Sequence, residues 1–229
     1  MVPTDTEAAV VFSRVVCGDD AQTLACIGQA DVELALWQRS TNRTDAARHA
    51  GLRRWLADLP EAMLPTVHAE LQPSDTVAAL QIACHASGMP PGPMQQALLA
   101  DIADLVERFA TITQCTSVKL RLEPIATDAC RRWHRDCMPL RLITTYRGPG
   151  TEWVRPEHSA ATIARPDDNV ACSEQLASFD VALFKGCGWP GSSHDTGILH
   201  RSPRVASQGV TRLLLVLNPP FDFKWGQNK

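Results

Sequence analysis

The most constraining feature of this 229-residue sequence is a change in the spacing of its apolar residues at Gln114. Before Gln114, the segment Pro93–Thr113 carries an apolar residue at every third or fourth position, which predicts an amphipathic helix with one buried face. After Gln114, short segments alternate apolar and polar residues or are rich in β-branched residues, as is typical of strands. The sequence therefore predicts an α+β fold with a helical N-terminal half and a β-rich C-terminal half.

The remaining elements follow from the same two spacings and from Pro and Gly residues between them. Two further helices are predicted over residues 44–59 and 74–86, each followed by a Pro or Gly break. Strands are predicted over residues 8–16, 31–38, 117–124, 140–147, 180–185 and 212–217. Residues 155–178 are predicted to be a polar loop or hairpin. Because no linker or repeat divides the chain, we expect one domain over residues 1–229, with 1–114 as mainly helical support and 115–220 as the β core.

Charge and hydropathy argue against two classes of partner. The formal net charge is −3, and only 6% of the residues are aromatic, which gives no basis for nucleic-acid or anionic-membrane binding. The N-terminus lacks the basic start of a signal peptide, and no apolar run approaches the roughly 20 residues that span a bilayer. The sequence therefore predicts a cytoplasmic protein, and it leaves the oligomeric state open.

Three polar residues in two distant segments form a candidate metal site. His134 and Asp136 are separated by one residue, so in an extended segment their side chains point to the same face. With His200 they would supply the two imidazoles and one carboxylate of the facial triad that holds non-haem Fe(II). Arg212, twelve residues after His200, could bind the carboxylate of an acidic co-substrate through its planar guanidinium.

Two residues on the strand that follows the His-x-Asp segment are candidates for co-substrate binding. Arg141 is expected either to face the pocket and bind an acidic group or to form a structural ion pair. Tyr146, the only tyrosine, is expected either to donate a hydrogen bond to a co-substrate carboxylate or to cap the sheet edge. The sequence leaves open the roles of Glu152, His194 and Arg201.

Two alternatives compete with the iron triad. Cys130, His134 and Cys137 could instead hold Zn(II), although Cys137 would point away from His134 in a strand. None of the eight cysteines forms a C-x-x-C pair, so the usual spacing of a structural zinc site is absent. The second alternative is a domain without metal, in which His134 and Asp136 have structural roles only.

The order of these residues resembles the Fe(II)/2-oxoglutarate-dependent oxygenases over about residues 117–218. The resemblance rests on the His-x-Asp pair, the strand Asp180–Lys185 followed by Gly186, the later His200 and the Arg212 that opens a strand. It implies a double-stranded β-helix, that is, a jelly-roll or cupin-like core. It also implies Fe(II) held by His134, Asp136 and His200, with 2-oxoglutarate anchored by Arg212 in a dioxygenase, an oxidoreductase.

A second and more specific resemblance, covering nearly the whole chain, is to a bacterial family known as domain of unknown function 1826. It rests on Trp133-His-Arg-Asp136, on the run Tyr146-Arg-Gly-Pro-Gly-Thr-Glu-Trp153 and on His200-Arg-Ser-Pro203. It implies a link to metal homeostasis and therefore an alternative function, a non-catalytic cupin-like protein that binds Zn(II). The oxygenase reading predicts a small molecule or a protein side chain as the prime substrate, which the sequence does not identify further.

Overall fold

The computed structural model describes residues 14–165, 172–193 and 195–225, which form four α-helices and ten strands. The α-helices are α1 (Arg43–Asp58), α2 (Thr76–Ala86), α3 (Pro93–Thr113) and α4 (Ser159–Ala164). The strands are β1 (Val15–Gly18), β2 (Leu34–Trp37), β3 (Val67–Leu71), β4 (Val118–Ile125), β5 (Leu140–Arg147), β6 (Glu152–Val154), β7 (Ser173–Gln175), β8 (Val181–Lys185), β9 (His200–Arg201) and β10 (Arg212–Asn218). The protein therefore mixes helices with a large sheet, as predicted.

The strands form a large sheet and a small one. The large sheet has seven strands in the order β1-β2-β8-β5-β10-β4-β3, and all neighbours are antiparallel except β1 and β2. The small sheet has three antiparallel strands in the order β7-β6-β9. Because β5, β8 and β10 belong to the large sheet and β6, β7 and β9 to the small one, the chain passes four times between the sheets.

The large sheet separates two apolar layers. Alternate residues of a strand point to opposite faces, and on β10 the odd-numbered residues Leu213 and Leu215 pack with α3 residues in the larger core. The even-numbered residues Leu214 and Val216 pack with Trp153 of the small sheet in a second cluster. The helices thus cover one face of the large sheet, and the small sheet covers part of the other.

Helix α3 matches its prediction at both ends. It begins at Pro93, whose missing N–H costs nothing in the first turn, and it ends at Gln114 in the left-handed conformation, with φ of 56°. Four residues of the predicted stripe are buried, and Met94 and Ile112 pack at the margin of the same core. The four buried stripe residues are Leu98, Ile102, Leu105 and Phe109.

The large sheet extends beyond the predicted core of residues 115–220. Strands β1, β2 and β3 all precede that segment, and β2 pairs with β8 near the middle of the sheet. Of the strand predicted over residues 8–16, the part before residue 14 lies outside the described residues. The predicted loop at 155–178 contains the short helix α4 and strand β7, and its residues 166–171 also lie outside them.

A buried carboxylate joins the helices to the sheet. Asp101 of α3 accepts two hydrogen bonds from Arg39 at 2.8 and 3.0 Å and one from the Tyr146 hydroxyl at 2.7 Å. Its Oδ1 also lies 3.3 Å from His49 Nε2. Burial alone raises the pKa of Asp101, but the hydrogen bonds and charge of His49, Arg39 and Tyr146 outweigh burial and lower that pKa well below its usual range.

Within the described residues, no helix combines the length and the apolar character that a transmembrane span requires.

We predict that Asp101→Ala lowers the free energy of unfolding by about 3–5 kcal/mol, because it leaves the Arg39 guanidinium buried without its carboxylate. The matched control is Asp104→Ala on the same helix, which removes an exposed pair with Arg108 and should cost less than about 1 kcal/mol. Urea denaturation measures both values. Equal losses in the two variants would contradict the structural role of Asp101.

We also predict that Asp101 makes stability depend on acid pH. Its folded-state pKa is lowered, so its contribution is complete above the ordinary carboxyl pKa of about 3.9 and is lost as the pH falls. Urea midpoints measured between neutral pH and about pH 3 should therefore fall more steeply in the wild type than in Asp101→Asn. Parallel curves for the two proteins would show that the carboxylate charge does not contribute.

Candidate metal centre

The site begins with a backbone contact between two segments far apart in the sequence. His134 lies between β4 and β5, His200 opens β9, and the two residues form an isolated antiparallel bridge. The His134 N–H donates to the His200 carbonyl at 3.1 Å, and the His200 N–H donates to the His134 carbonyl at 3.0 Å. This pairing brings the two imidazole rings to 4.6 Å between centroids.

The backbone fixes the same tautomer on both imidazoles. Nδ1 of His134 lies 2.9 Å from the Arg132 carbonyl, and Nδ1 of His200 lies 3.0 Å from the Ile198 carbonyl. Because a carbonyl oxygen only accepts, each Nδ1 must carry the proton. A ring in this tautomer has its lone pair on Nε2, as a metal-binding histidine requires.

Asp136 supplies the carboxylate of the group. Its Oδ1 is paired with Arg141 Nη1, and its Oδ2 lies 3.5 Å from His200 Nε2. Oδ2 is buried and has no hydrogen-bond partner among the described residues. A buried carboxylate oxygen without a donor is costly, so this atom is suited to receive a cation.

Burial also keeps His200 neutral. It lowers the pKa of His200 below the ordinary value, and the negative charge of Asp136 only partly opposes that effect. A neutral imidazole is the form that ligates a metal.

Candidate ligand atoms of His134, Asp136 and His200 all lie within 4.8 Å of one another. Among the described residues, this is the one group of three or more His, Cys, Asp or Glu side chains with such spacing. Two imidazole nitrogens and one carboxylate oxygen form the donor set that non-haem Fe(II) prefers, and they leave coordination positions open. The residues present therefore fit the predicted metal.

The backbone approaches very closely beside this group. At Gly186, just after β8, an added Cβ would lie 2.1 Å from the Met138 carbonyl oxygen and 2.4 Å from that of Asp136. Only glycine fits there without displacing the segment that carries Asp136. Gly186 therefore contributes to the position of the carboxylate although it offers no side chain.

A cavity of about 120 Å³ opens beside the two imidazoles, between the large sheet and the small one. Residues of β5 and β10 line one wall, and residues of β9 and the loop after it line another. Its lining includes His134, His200, Arg141, Ile143, Thr151, Arg201, Ser202, Leu214 and Val216. The two candidate imidazole ligands thus border a space that a small molecule can enter.

Arg212 lies fully buried behind Ser202, one of the cavity residues. Its Nη1 donates to Ser202 Oγ at 3.3 Å, its Nη2 to Thr145 Oγ1 at 3.2 Å and its Nε to the Pro149 carbonyl at 2.8 Å. Among the described residues, no carboxylate lies within ion-pair distance of it. Burial therefore lowers the pKa of Arg212 to about 10, and the charge of Glu152 only partly opposes this.

Arg141 lines the cavity and is also ion-paired, and binding of an acidic group there stays a prediction. Its Nη1 pairs with Asp136, and its Nε donates to Asn218 Oδ1 at 2.9 Å. Arg141 therefore orients the candidate metal-binding carboxylate from outside the ligand set.

The co-substrate role predicted for Tyr146 does not fit its position. Tyr146 lies on the helix-covered face of the large sheet, where its hydroxyl donates to Asp101. Residues 141 and 146 are separated by an odd number of positions, so a regular strand directs them to opposite faces. Tyr146 is a buried structural residue.

The other predicted site residues lie around the group without joining it. Glu152 accepts a hydrogen bond from Arg201 Nε at 2.6 Å, and the Arg201 guanidinium lies 4.3 Å from the centroid of the Trp133 ring. The alternative zinc ligands Cys130 and Cys137 are exposed and are not part of the metal-ligand group. His194 lies outside the described residues.

The sequence analysis missed the two hydroxyl residues that hold Arg212. Ser202 lies two residues after His200, and Thr145 shares the strand face of Arg141. The period of two along β5 and β9 could have indicated both, since residues separated by two positions share a face.

Comparison with known proteins shows the family to which this chain belongs. A family model described as "Protein of unknown function (DUF1826)" matches residues 18–218. The chain belongs to this family. The membership predicted from the Tyr146–Trp153 run is thus confirmed, and the match includes all three candidate metal ligands of this DUF1826 chain. The comparison with curated proteins gives no match.

Several solved structures are distantly similar to the DUF1826 chain. A dioxygenase for auxin oxidation from rice has 13% identity and a TM-score of 0.45, with 95% of this chain and 89% of that chain covered. The 2-oxoglutarate complex of AtDAO1, a dioxygenase for auxin oxidation from Arabidopsis thaliana, has 10% identity and a TM-score of 0.46, with 92% and 94% covered. AviO1 from Streptomyces viridochromogenes Tue57 has 14% identity and a TM-score of 0.39, with 90% and 98% covered. Because these scores are low, the functional argument rests on the site of the DUF1826 chain itself.

We predict that the chain binds one divalent metal ion and that His134→Ala weakens this binding at least about 100-fold, because an inner-sphere ligand is lost. Titration with Co(II), followed by its visible spectrum, measures the affinity. His85→Ala, at an exposed position on α2, is the matched control and should bind as the wild type does. Equal affinity in all three proteins would exclude the triad as the metal site.

Proposed function

We propose that this protein is a non-haem Fe(II)- and 2-oxoglutarate-dependent oxygenase. The observation that carries the proposal is an open donor set of two imidazoles and a carboxylate beside a buried guanidinium that has no carboxylate of its own. The donor set suits Fe(II), and the unbalanced cation suits a dicarboxylate co-substrate.

His134 and His200 would hold the metal through Nε2, and Asp136 would hold it through Oδ2. The two Nδ1–H groups stay bonded to backbone carbonyls, so neither ring needs to turn or lose a proton to the solvent when the metal enters. Arg141 keeps Oδ1 occupied, which directs the free oxygen of Asp136 towards the imidazoles. Fe(II) bound here would supply the activation of O2 and the oxidative decarboxylation of 2-oxoglutarate.

Arg212 would bind the distal carboxylate of 2-oxoglutarate. Ser202 lies two residues after His200, a distance of about 7 Å along an extended backbone. Ser202 also receives a hydrogen bond from Arg212, which links the guanidinium to the segment that carries His200. We propose that a five-carbon dicarboxylate reaches from the candidate metal ligands to Arg212.

The low dielectric around Arg212 should strengthen this recognition. Burial has already removed water from the guanidinium, and only hydroxyl and carbonyl oxygens accept its hydrogen bonds. A carboxylate would therefore replace weaker neutral partners with a charge-assisted pair and restore the ordinary pKa of the group.

The arrangement of the two sheets supports a double-stranded β-helix, with the site between the large sheet and the small one. The small cavity favours a small molecule or a single protein side chain as prime substrate. The same donor set also suits the alternative function, a non-catalytic protein that binds Zn(II). Such a protein would not need a buried Arg212 without a carboxylate partner.

We predict that the Fe(II)-loaded protein, prepared without oxygen, develops a visible metal-to-ligand charge-transfer band when 2-oxoglutarate is added. Arg212→Gln should weaken 2-oxoglutarate binding by about 10- to 100-fold, which corresponds to the loss of one charge-assisted carboxylate pair. Titration of the band measures both dissociation constants.

The matched control for this experiment is 2-oxobutyrate, a 2-oxo acid that lacks the distal carboxylate. Its affinity should be the same in the wild type and in Arg212→Gln, because it has no group for Arg212 to bind. The metal content of each protein shows that the variant is folded. Tight Zn(II) binding with no response to 2-oxoglutarate would reject the oxygenase and favour metal binding without catalysis.

A further inference from the structure

A pair of thiols lies directly behind the metal centre. Cys137 follows the candidate ligand Asp136, and Cys187 lies two residues after the end of β8. Their main chains are in direct contact, because the Cys187 N–H donates to the carbonyl of the residue before Cys137, and the two thiols interact with each other. Cys137 is exposed and Cys187 is partly exposed, so both sulfur atoms lie where a small oxidant can reach them.

The backbone holds these two cysteines together. The Cys187 N–H donates to the Asp136 carbonyl at 2.9 Å, and the Gly186 N–H donates to the Pro139 carbonyl at 3.2 Å. A Cβ on Gly188 would lie 2.7 Å from the Cys137 carbonyl oxygen, so the two segments are in close contact on both sides of Cys187. The approach of the thiols is thus imposed by main-chain pairing rather than by two mobile side chains.

Two other cysteines, Cys130 and Cys84, have different environments. Cys130 is exposed and lies on the cavity side, where it borders the cavity with His134. Cys84 is buried in the helical core, and burial raises the pKa of its thiol to about 11. Proximity to a second thiol therefore marks Cys137 and Cys187 as a pair suited to disulfide formation.

We propose that Cys137 and Cys187 are a reversible thiol–disulfide pair that clamps the His-x-Asp segment to the end of β8. With hydrogen peroxide as oxidant, one thiol is first oxidised to a sulfenic acid and releases one water. The second sulfur then attacks the first, the S–O bond breaks, the S–S bond forms, and a second water leaves. The two thiols lose two electrons and two protons in total, and an external dithiol reverses the reaction by exchange.

The clamp acts on the position of the carboxylate ligand. Asp136 is held to the end of β8 by the Cys187 N–H and by the close contact with Gly186, and its ion pair with Arg141 holds it to β5. A covalent bond one residue later in the chain would limit local opening of this segment. Oxidation would then stabilise the metal-binding geometry without changing any of the three ligands.

The test is peptide mapping of the full-length protein, kept free of redox-active metal and treated with a small excess of hydrogen peroxide. Without reduction, proteolysis should yield one peptide in which residues 137 and 187 are linked, and dithiothreitol should release it. Cys137→Ser and Cys187→Ser should each abolish that product. Cys130→Ser, the matched control at a nearby exposed cysteine, should leave it unchanged.

A second measurement tests the clamp itself. Amide hydrogen exchange at Cys187 should slow by about tenfold in the oxidised wild type, because opening of the Asp136 hydrogen bond is restricted. Failure to find a 137–187 linkage, or a linkage of either residue to Cys130 instead, would overturn the pair. A 137–187 linkage without slower exchange would overturn the clamp.

Discussion

The candidate site depends on two backbone hydrogen bonds between His134 and His200. They join a segment before β5 to the first residue of β9, across 65 intervening residues that include strands of both sheets. This bridge brings together two imidazoles that come from segments far apart in the sequence. The remaining contacts refine this geometry, since carbonyls set the tautomers and Arg141 sets the carboxylate.

Two buried arginines on opposite faces of the large sheet differ in the groups that accept their hydrogen bonds. Arg39, on the helical face, is paired with the carboxylate of Asp101. Burial lowers the pKa of Arg39, but the negative charge of Asp101 outweighs burial, so the pKa of Arg39 is raised above its ordinary value. Arg212, on the cavity face, has only neutral acceptors, and burial lowers its pKa to about 10. The positive charge of Arg39 is neutralised by a carboxylate of the protein, whereas that of Arg212 would be neutralised by an anionic ligand. A buried charge without a counter-charge is costly, so its presence near the candidate metal ligands supports the proposed binding role.

Elements whose apolar residues recur regularly were predicted from the sequence. The grouping of His134, Asp136 and His200 was also predicted, whereas the contacts around these residues were not. Helix α3 and strands β5 and β10 carry long regular patterns, so their limits were predicted closely. Strands β3, β6 and β9 were missed because each is short and is defined by its partner strand rather than by its own pattern. Tyr146 was predicted either to bind a co-substrate or to cap the sheet edge, although its odd separation from Arg141 already placed the two side chains on opposite sides of a regular strand. The ion pair of Arg141 with Asp136 and the burial of Arg212 depend on tertiary packing, which no local sequence pattern shows.

The most direct test of the central claim is a crystal structure of the protein with Mn(II), as a redox-stable substitute for Fe(II), and 2-oxoglutarate. Anomalous scattering at the manganese edge locates the metal independently of any assumed ligand. The account predicts one metal ion bound by Nε2 of His134, Nε2 of His200 and Oδ2 of Asp136, with the distal carboxylate of 2-oxoglutarate on Arg212. A metal bound elsewhere, or a triad that stays empty of metal at saturating Mn(II), would contradict it.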